Sequence, residues 1–351
     1  MKQQLEQFRD KKVFVTGHTG FKGSWMIAVL HQLGANIKGY ALAPTHSAEL
    51  FETIDGNTIC ESIIGNIKDQ ALLEKEILSF QPDFIFHLAA QPLVRASYSA
   101  PSETFAVNVL GTSFLLEAAL KLTNPCTIIV ITTDKVYENK ETSIYYTEKD
   151  TLGGYDPYST SKACAELVST SFIRSFLSKD TKHTITTARA GNVIGGGDFS
   201  EDRIIPDFIR SIQKKESLII RNPHAVRPWQ HVLEPILGYL MLALKKAANQ
   251  TIGNAYNFGP QEKDHLKVVD LIEHAIDYTQ KGDFKIIPND DLHEANQLRL
   301  SIDAAKNDLN WIPMYSAKKA IELTMDWYFS ANKKATTIEQ IKHFLDAVEE
   351  N

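Results

Sequence analysis

Cysteine is scarce in this chain: Cys60, Cys126 and Cys164 are odd in number, widely spaced and free of any CxxC pair. That excludes a disulfide framework and a thiolate zinc site, and the three are expected to be reduced, buried filler. Long apolar runs are missing too. Nothing approaches the roughly 18 residues of a membrane span, and the first dozen residues are polar and charged with no apolar signal segment, so a soluble cytoplasmic protein is expected. Basic runs are equally absent. With 37 Lys and Arg against 43 Asp and Glu, the net charge is -6, which argues against nucleic acid or an anionic membrane as partner. No His, Cys, Asp and Glu cluster has metal-ligand spacing, and no repeat, low-complexity tract or Ser/Gly linker interrupts the chain.

What is present is a core-forming chain of 351 residues, 43% of them hydrophobic, which excludes disorder and, at about 150 residues per domain, suggests two lobes. Residues 13–16, 37–42, 84–87 and 128–131 are short, β-branched and nearly all apolar. Strands apolar on both faces belong to a parallel sheet. Between them lie helical periods at 23–33, closed by Gly34, and at 71–80, stopped before Pro82. The alternation predicts an α/β fold with a Rossmann-type doubly wound parallel sheet. A further strand at 184–189 runs into a loop at 191–197 that contains Gly195, Gly196 and Gly197. Beyond it Pro206, Pro223, Pro228, Pro235, Pro260, Pro288 and Pro313 punctuate short elements, so a smaller, irregular C-terminal lobe is expected, with a cleft between the two.

Directly after the first strand stands TGHTGFKG at residues 16–23, opening a helix. Glycines placed there permit a tight turn and bring backbone N–H groups and the positive end of the helix dipole against a pyrophosphate. Residues 1–190 therefore read as a dinucleotide-binding domain, and 191–351 as mainly a substrate lobe with some segments returning to the first domain. The second strand ends without the usual acidic ribose ligand. No arginine pair replaces it, and NAD is favoured over NADP.

Tyr158 and Lys162 form a YxxxK element at the start of a helix after Pro157 and share one helix face. A phenol of ordinary pKa near 10 is a poor base, and a neighbouring ammonium would lower it. The strand at 128–131 leads into Thr132, Thr133, Asp134 and Lys135, at the end of the sheet where ligands bind. Thr133 can hydrogen-bond a reacting oxygen, and Asp134 and Lys135 place a carboxyl and an amine beside it. A solvated helix face and an ordinary loop pair are the plainer alternatives for these residues.

These motifs, with HLAAQPLVRASY at 87–98, GGYDPYSTSK at 153–162, RAGNVIGGGD, RNPHAVRPWQHVLEP and HEA at 293–295, carry a resemblance that spans nearly the whole chain. The sequence resembles the extended short-chain dehydrogenase/reductases, within them the NAD-dependent nucleotide-sugar epimerases and dehydratases, and most specifically the branch that dehydrates CDP-glucose. The resemblance implies a 4,6-dehydration through an internal NAD hydride cycle, with a CDP-4-keto-6-deoxy sugar as product. It implies Tyr158 as base at the C4 hydroxyl, assisted by Thr133 and Lys162, and Asp134 as the acid for water loss. Lys135 stands where related dTDP-glucose enzymes carry Glu, and it serves as C5 base only if burial or a neighbouring cation lowers its pKa from about 10.4.

By the same similarity Gly17, Thr19, Gly20, Phe21, Lys22 and Gly23 line the pyrophosphate, Asn66 and Ile67 meet adenine, and Ala89, Ala90 and Gln91 pack along the nicotinamide half. Asn108 is expected only to satisfy backbone. Arg203, Arg221, Arg227 and Arg299 are candidates for the sugar nucleotide, since guanidinium matches phosphate oxygens, and Asn192 lies in a matching motif. His224, His231 and His293 read equally as core or loop histidines. The family implies a homodimer or homotetramer through the helical stretches 101–122 and 157–176. Two rivals remain open: a 4-epimerase, which needs no acid and base at C5 and C6, and a non-catalytic NAD-binding scaffold.

Overall fold

The computed structural model describes residues 2–46, 49–177, 182–248, 251–287 and 298–350. Its centre is a seven-stranded parallel sheet in the order Ala255–Phe258, His183–Ala190, Cys126–Thr133, Phe84–His87, Lys12–Thr16, Asn36–Ala41, Glu61–Ile64. Strand order reverses between Lys12–Thr16 and Phe84–His87, which opens a crevice at the carboxyl ends of the strands.

Successive side chains of a strand face opposite ways, and the two cores follow that period. Val13, Val15, Phe84, Phe86, Ile129 and Ile131 pack with helices Phe21–Gln32 and Leu233–Ala248. Phe14, Ile85, Ile128 and Val130 pack on the other face with Leu73 and Ile77 of Gln70–Phe80 and Leu115 and Leu116 of Gly111–Leu120. Full burial of one such side chain is worth roughly 1.5–3 kcal/mol. Trp25 also ties helix Phe21–Gln32 to the glycine loop at 191–197: fully buried, it donates from Nε1 to the Gly196 carbonyl at 2.9 Å. Where Gly196 carries only hydrogen, a Cβ would sit 2.0 Å from the Trp327 ring, so this loop is packed closely from both sides.

The helix after the glycine turn begins at Phe21 rather than residue 23, because Gly20 already adopts the extended cap conformation, and Gly34 follows its end at φ +80°. Helix Gln70–Phe80 starts on Asp69, whose Oδ1 accepts from Leu72 N at 3.1 Å, and ends on Gln81 in the left-handed region. The strand expected at 128–131 extends to Cys126–Thr133, so Thr132 and Thr133 are its last residues. Both outer strands escaped the sequence reading: Glu61–Ile64 is half exposed, and Ala255–Phe258 is too short and mixed to stand out. The remaining short strands pair as Val193–Ile194 with Gln230–His231, Val226–Pro228 with His265–Lys267, and Leu218–Ile220 with Phe284–Ile286. Cys60 and Cys126 are buried, but Cys164 is only partly so, which corrects its reading as core filler. Among the described residues no helix is long and apolar enough to cross a membrane.

Candidate active site

A cleft of about 930 Å³ lies at the carboxyl ends of the strands, within the size of small-ligand sites. At one end is the glycine turn. Gly17 sits at φ +74°, donates its N–H to the Tyr40 carbonyl at 2.9 Å, and leaves no room for a side chain, since a Cβ would lie 2.8 Å from Ala89 N. A Cβ on Gly23 would fall 2.0 Å from the Gly17 carbonyl, so helix and turn can approach this closely only with glycine. Thr19 fixes the turn by donating to the Leu42 carbonyl at 2.8 Å. The first helical turn has N–H groups without intrahelical acceptors, and Gly20, Phe21, Lys22 and Gly23 line the cleft. Such a cradle fits a dinucleotide pyrophosphate. Leu42, directly after the second strand, lines the cleft where an acid is lacking.

Thr133, Asp134, Lys135, Tyr158 and Lys162 all line the floor of the cleft. Helix Pro157–Phe172 presents Tyr158 and Lys162 because Asp156 caps it, its two carboxylate oxygens accepting from Ser159 N at 2.9 Å and Ser159 Oγ at 2.6 Å. Burial pushes the Tyr158 phenol up to about 12, opposed by a hydrogen bond with Thr133 and the charge of Arg203. The expected lowering by Lys162 is corrected here: its ammonium donates to the Ile131 carbonyl at 2.8 Å, and burial takes it down to about 8. Asp134 is 2% exposed, and burial holds its carboxyl above the usual range. Its Oδ1 accepts from Thr133 Oγ1 at 2.9 Å, while among the described residues its Oδ2 has no hydrogen-bond partner. A buried, half-satisfied carboxyl whose pKa is raised, standing beside a phenol, is placed to give a proton.

The side chain of Lys22 joins this floor rather than standing only at the glycine turn. Its Nζ donates to the Tyr239 hydroxyl at 3.3 Å, and burial, with the charges of Arg203 and Lys162, lowers it to about 7. Beneath the floor Glu166, one turn after Lys162, accepts from Arg189 Nε and Nη2, each at 2.9 Å, and from Thr132 and Thr187 at 2.5 and 2.6 Å. Such a buried, bidentate pair fixes the catalytic helix against the sheet.

Asn66 and Ile67 line the cleft, Asn66 accepting at its main-chain oxygen from the Tyr40 hydroxyl at 2.9 Å, as do Ala89 and Ala90. Gln91 does not line it. Its carboxamide donates to Thr104 Oγ1 at 2.9 Å and to the Leu93 carbonyl at 3.1 Å, so it shapes the loop instead. Asn108, inside the π-helical turn Ala106–Leu110, accepts from Gln91 N at 2.8 Å and donates to the Gln91 carbonyl at 3.1 Å, but it also donates to Ser161 Oγ at 2.8 Å, which corrects its reading as a residue that serves backbone alone.

At the cleft mouth stand Asn192, Arg203, Arg221 and Arg227. Arg203 pairs with Asp198 at 2.7 Å, Arg221 with Asp202 at 2.9 Å, and Arg227 donates to the Val226 carbonyl at 3.1 Å. Arg299 lies outside the lining, its guanidinium 5.7 Å over the Tyr145 ring. His231 is core, packed against Trp25 and Tyr315 and lowered to about 3 by burial. His224 is exposed, and His293 with the 293–295 motif lies outside the described residues. Sequence reasoning missed Arg95 and Asp202, both in the lining; Arg95 sits inside a motif whose other residues drew attention.

The family described as GDP-mannose 4,6 dehydratase matches residues 14–324. The chain is 42% identical over 329 residues to a CDP-glucose 4,6-dehydratase of Salmonella typhimurium, covering 92% of this chain and 91% of that one. It is 27% identical to a CDP-paratose 2-epimerase of Salmonella typhi, over 90% and 98% of the two chains. Among solved structures, an epimerase of Methanothermobacter thermautotrophicus superposes with a TM-score of 0.81 at 23% identity, over 97% of each chain. A dTDP-glucose 4,6-dehydratase of Streptomyces venezuelae, solved with NAD bound, gives 0.78 at 23% identity, over 90% and 96%. Family match, long alignment and common fold agree, and the chain belongs to the GDP-mannose 4,6 dehydratase family, within the extended short-chain dehydrogenase/reductases.

Proposed function

We infer that this protein is an NAD-dependent CDP-glucose 4,6-dehydratase, converting CDP-glucose to CDP-4-keto-6-deoxyglucose and water for deoxysugar biosynthesis. The 42% identity over 92% of the chain supports the substrate, and the glycine cradle supports the cofactor. The observation that carries the reaction is Asp134, a buried carboxyl of raised pKa with one unpartnered oxygen on the same floor as Tyr158. A 4-epimerase has no use for that acid.

Gly17–Gly23, Asn66, Ile67, Ala89 and Ala90 would hold NAD, which would supply the acceptor for the C4 hydride and its donor to C6. Tyr158, acting as the phenolate that the Thr133 hydrogen bond and the Arg203 charge stabilise against burial, takes the proton of the C4 hydroxyl, with Lys162 keeping the helix on the sheet. The 4-ketone acidifies the C5 proton, which Lys135 removes in its neutral amine form. Asp134 protonates the C6 hydroxyl, so that it leaves as water. Lys135 returns the C5 proton and the proton held by Tyr158 passes to Asp134, so every residue regains its starting state, with hydride moved from C4 to C6 and one water lost.

Residues 1–190 carry the cofactor half in this reading, and 191–351 mainly the sugar nucleotide. Exposed Leu110, Leu167 and Phe176, on the helical stretches expected at an interface, support a homodimer or homotetramer, which light scattering would size. The reaction is tested by incubating the protein with NAD+ and CDP-, dTDP-, UDP- or GDP-glucose in turn. Water loss and a new C6 methyl group, with CDP-glucose preferred, support the reading. A C4 isomer would make it an epimerase, and no conversion of any donor would overturn it.

A further inference from the structure

One carboxylate oxygen at the cleft mouth serves two arginines from opposite lobes. Asp202 Oδ1 lies 2.9 Å from Arg221 Nη2, on the substrate lobe, and 3.6 Å from Arg95 Nε, on helix Val94–Ser99 of the sheet domain. All three residues line the cleft. Among the described residues Arg95 Nε is buried yet makes no hydrogen bond, since the carboxylate stands beyond hydrogen-bond reach. Asp202 itself holds φ +56°, a left-handed backbone that aspartate adopts at some cost.

The neighbouring pair is built differently. Asp198 is 5% exposed, grips Arg203 at 2.7 Å and also accepts from Ser200 N at 3.0 Å. That pair is fixed, whereas the Asp202 side chain is 43% exposed and weakly held.

We propose that Asp202 is a displaceable internal anion: it occupies the gap between Arg95 and Arg221 in the unliganded protein, and the diphosphate of the nucleotide sugar takes its place. Arg95 is then a substrate-binding residue contributed by the sheet domain, and the exchange draws the two lobes onto one ligand. A diphosphate offers both guanidinium groups more charge and a forked acceptor, where the carboxylate satisfies only one of them well. No bond is made or broken in the exchange.

The inference rests on the nucleotide-sugar reading above, and calorimetry with CDP, no sugar and no cofactor separates the two. Binding of CDP to the wild type is the common requirement; its absence, together with no binding of dTDP, UDP or GDP, sinks both. Given binding, Asp202→Asn, which tolerates the same backbone, is expected to bind CDP about fivefold more tightly because the competing charge is gone. Arg95→Gln is expected to bind about fivefold more weakly, and Asp202→Asn to gain less in that background. Equal or weaker CDP binding by Asp202→Asn, or an unchanged constant for Arg95→Gln, overturns the exchange while leaving the dehydratase reading intact.

Discussion

The floor and the mouth of the cleft hold similar groups, carboxylates facing cations, in opposite physical states. On the floor Asp134, Thr133 and Lys162 are 2%, 8% and 6% exposed, and the ionisable groups are displaced from their ordinary pKa values. At the mouth the side chains of Arg95, Arg221 and Asp202 are 28%, 33% and 43% exposed and their ion pairs are weak. Proton transfer needs groups whose charge is costly, because only there does a small change of surroundings move a proton. Ligand capture needs groups that can change partners at little cost. Burial sorts the two tasks, and substitutions at the two places should separate kcat from KM.

Four substitutions break or sharpen that division. The largest effect is expected for Tyr158→Phe, which removes the proton acceptor: kcat falls about a thousandfold or more while CDP binding stays within about threefold, by rapid-quench kinetics and calorimetry. Asp134→Asn is expected to slow overall turnover about a hundredfold while C4 oxidation persists, so reduced cofactor builds up in a single turnover. Unchanged turnover would remove Asp134 from the acid role.

A buried acid away from the chemistry provides the control. Glu234 is raised from 4.5 to about 7 by burial, only partly offset by its hydrogen bonds from Met314 N and Tyr315 N. Because the folded value lies above the unfolded one, its favourable contribution is complete below about 4.5 and is lost as the pH climbs through about 7. Denaturant titrations should show the wild type losing on the order of 2 kcal/mol across that window relative to Glu234→Gln, with turnover little changed. The smallest effect is expected at the mouth: Arg221→Gln raises KM about tenfold and alters kcat less, by steady-state kinetics.

Local chemistry was legible in the sequence. The glycine turn, the TTDK strand end and the YxxxK helix each depend on residues a few positions apart, and the structure brings all three into one cleft. Direction of a long side chain was not legible. Gln91 turns into its own loop, Lys22 reaches past the turn to Tyr239, and Arg299 stacks on Tyr145 outside the cleft. Partnerships between residues far apart in the chain were also hidden, because Arg95 and Asp202 meet only once the chain is folded. Likewise the expectation that Lys162 lowers the phenol pKa assumed that helical spacing implies contact, whereas the Ile131 carbonyl captures the ammonium.

The internal hydride cycle is tested most directly with CDP-glucose carrying deuterium at C4, incubated with the protein and unlabelled NAD+, followed by mass and NMR analysis of the sugar. The account predicts a product that has lost water and carries the deuterium at C6. Deuterium retained at C4 of an intact hexose, or lost altogether from a dehydrated product, would contradict it.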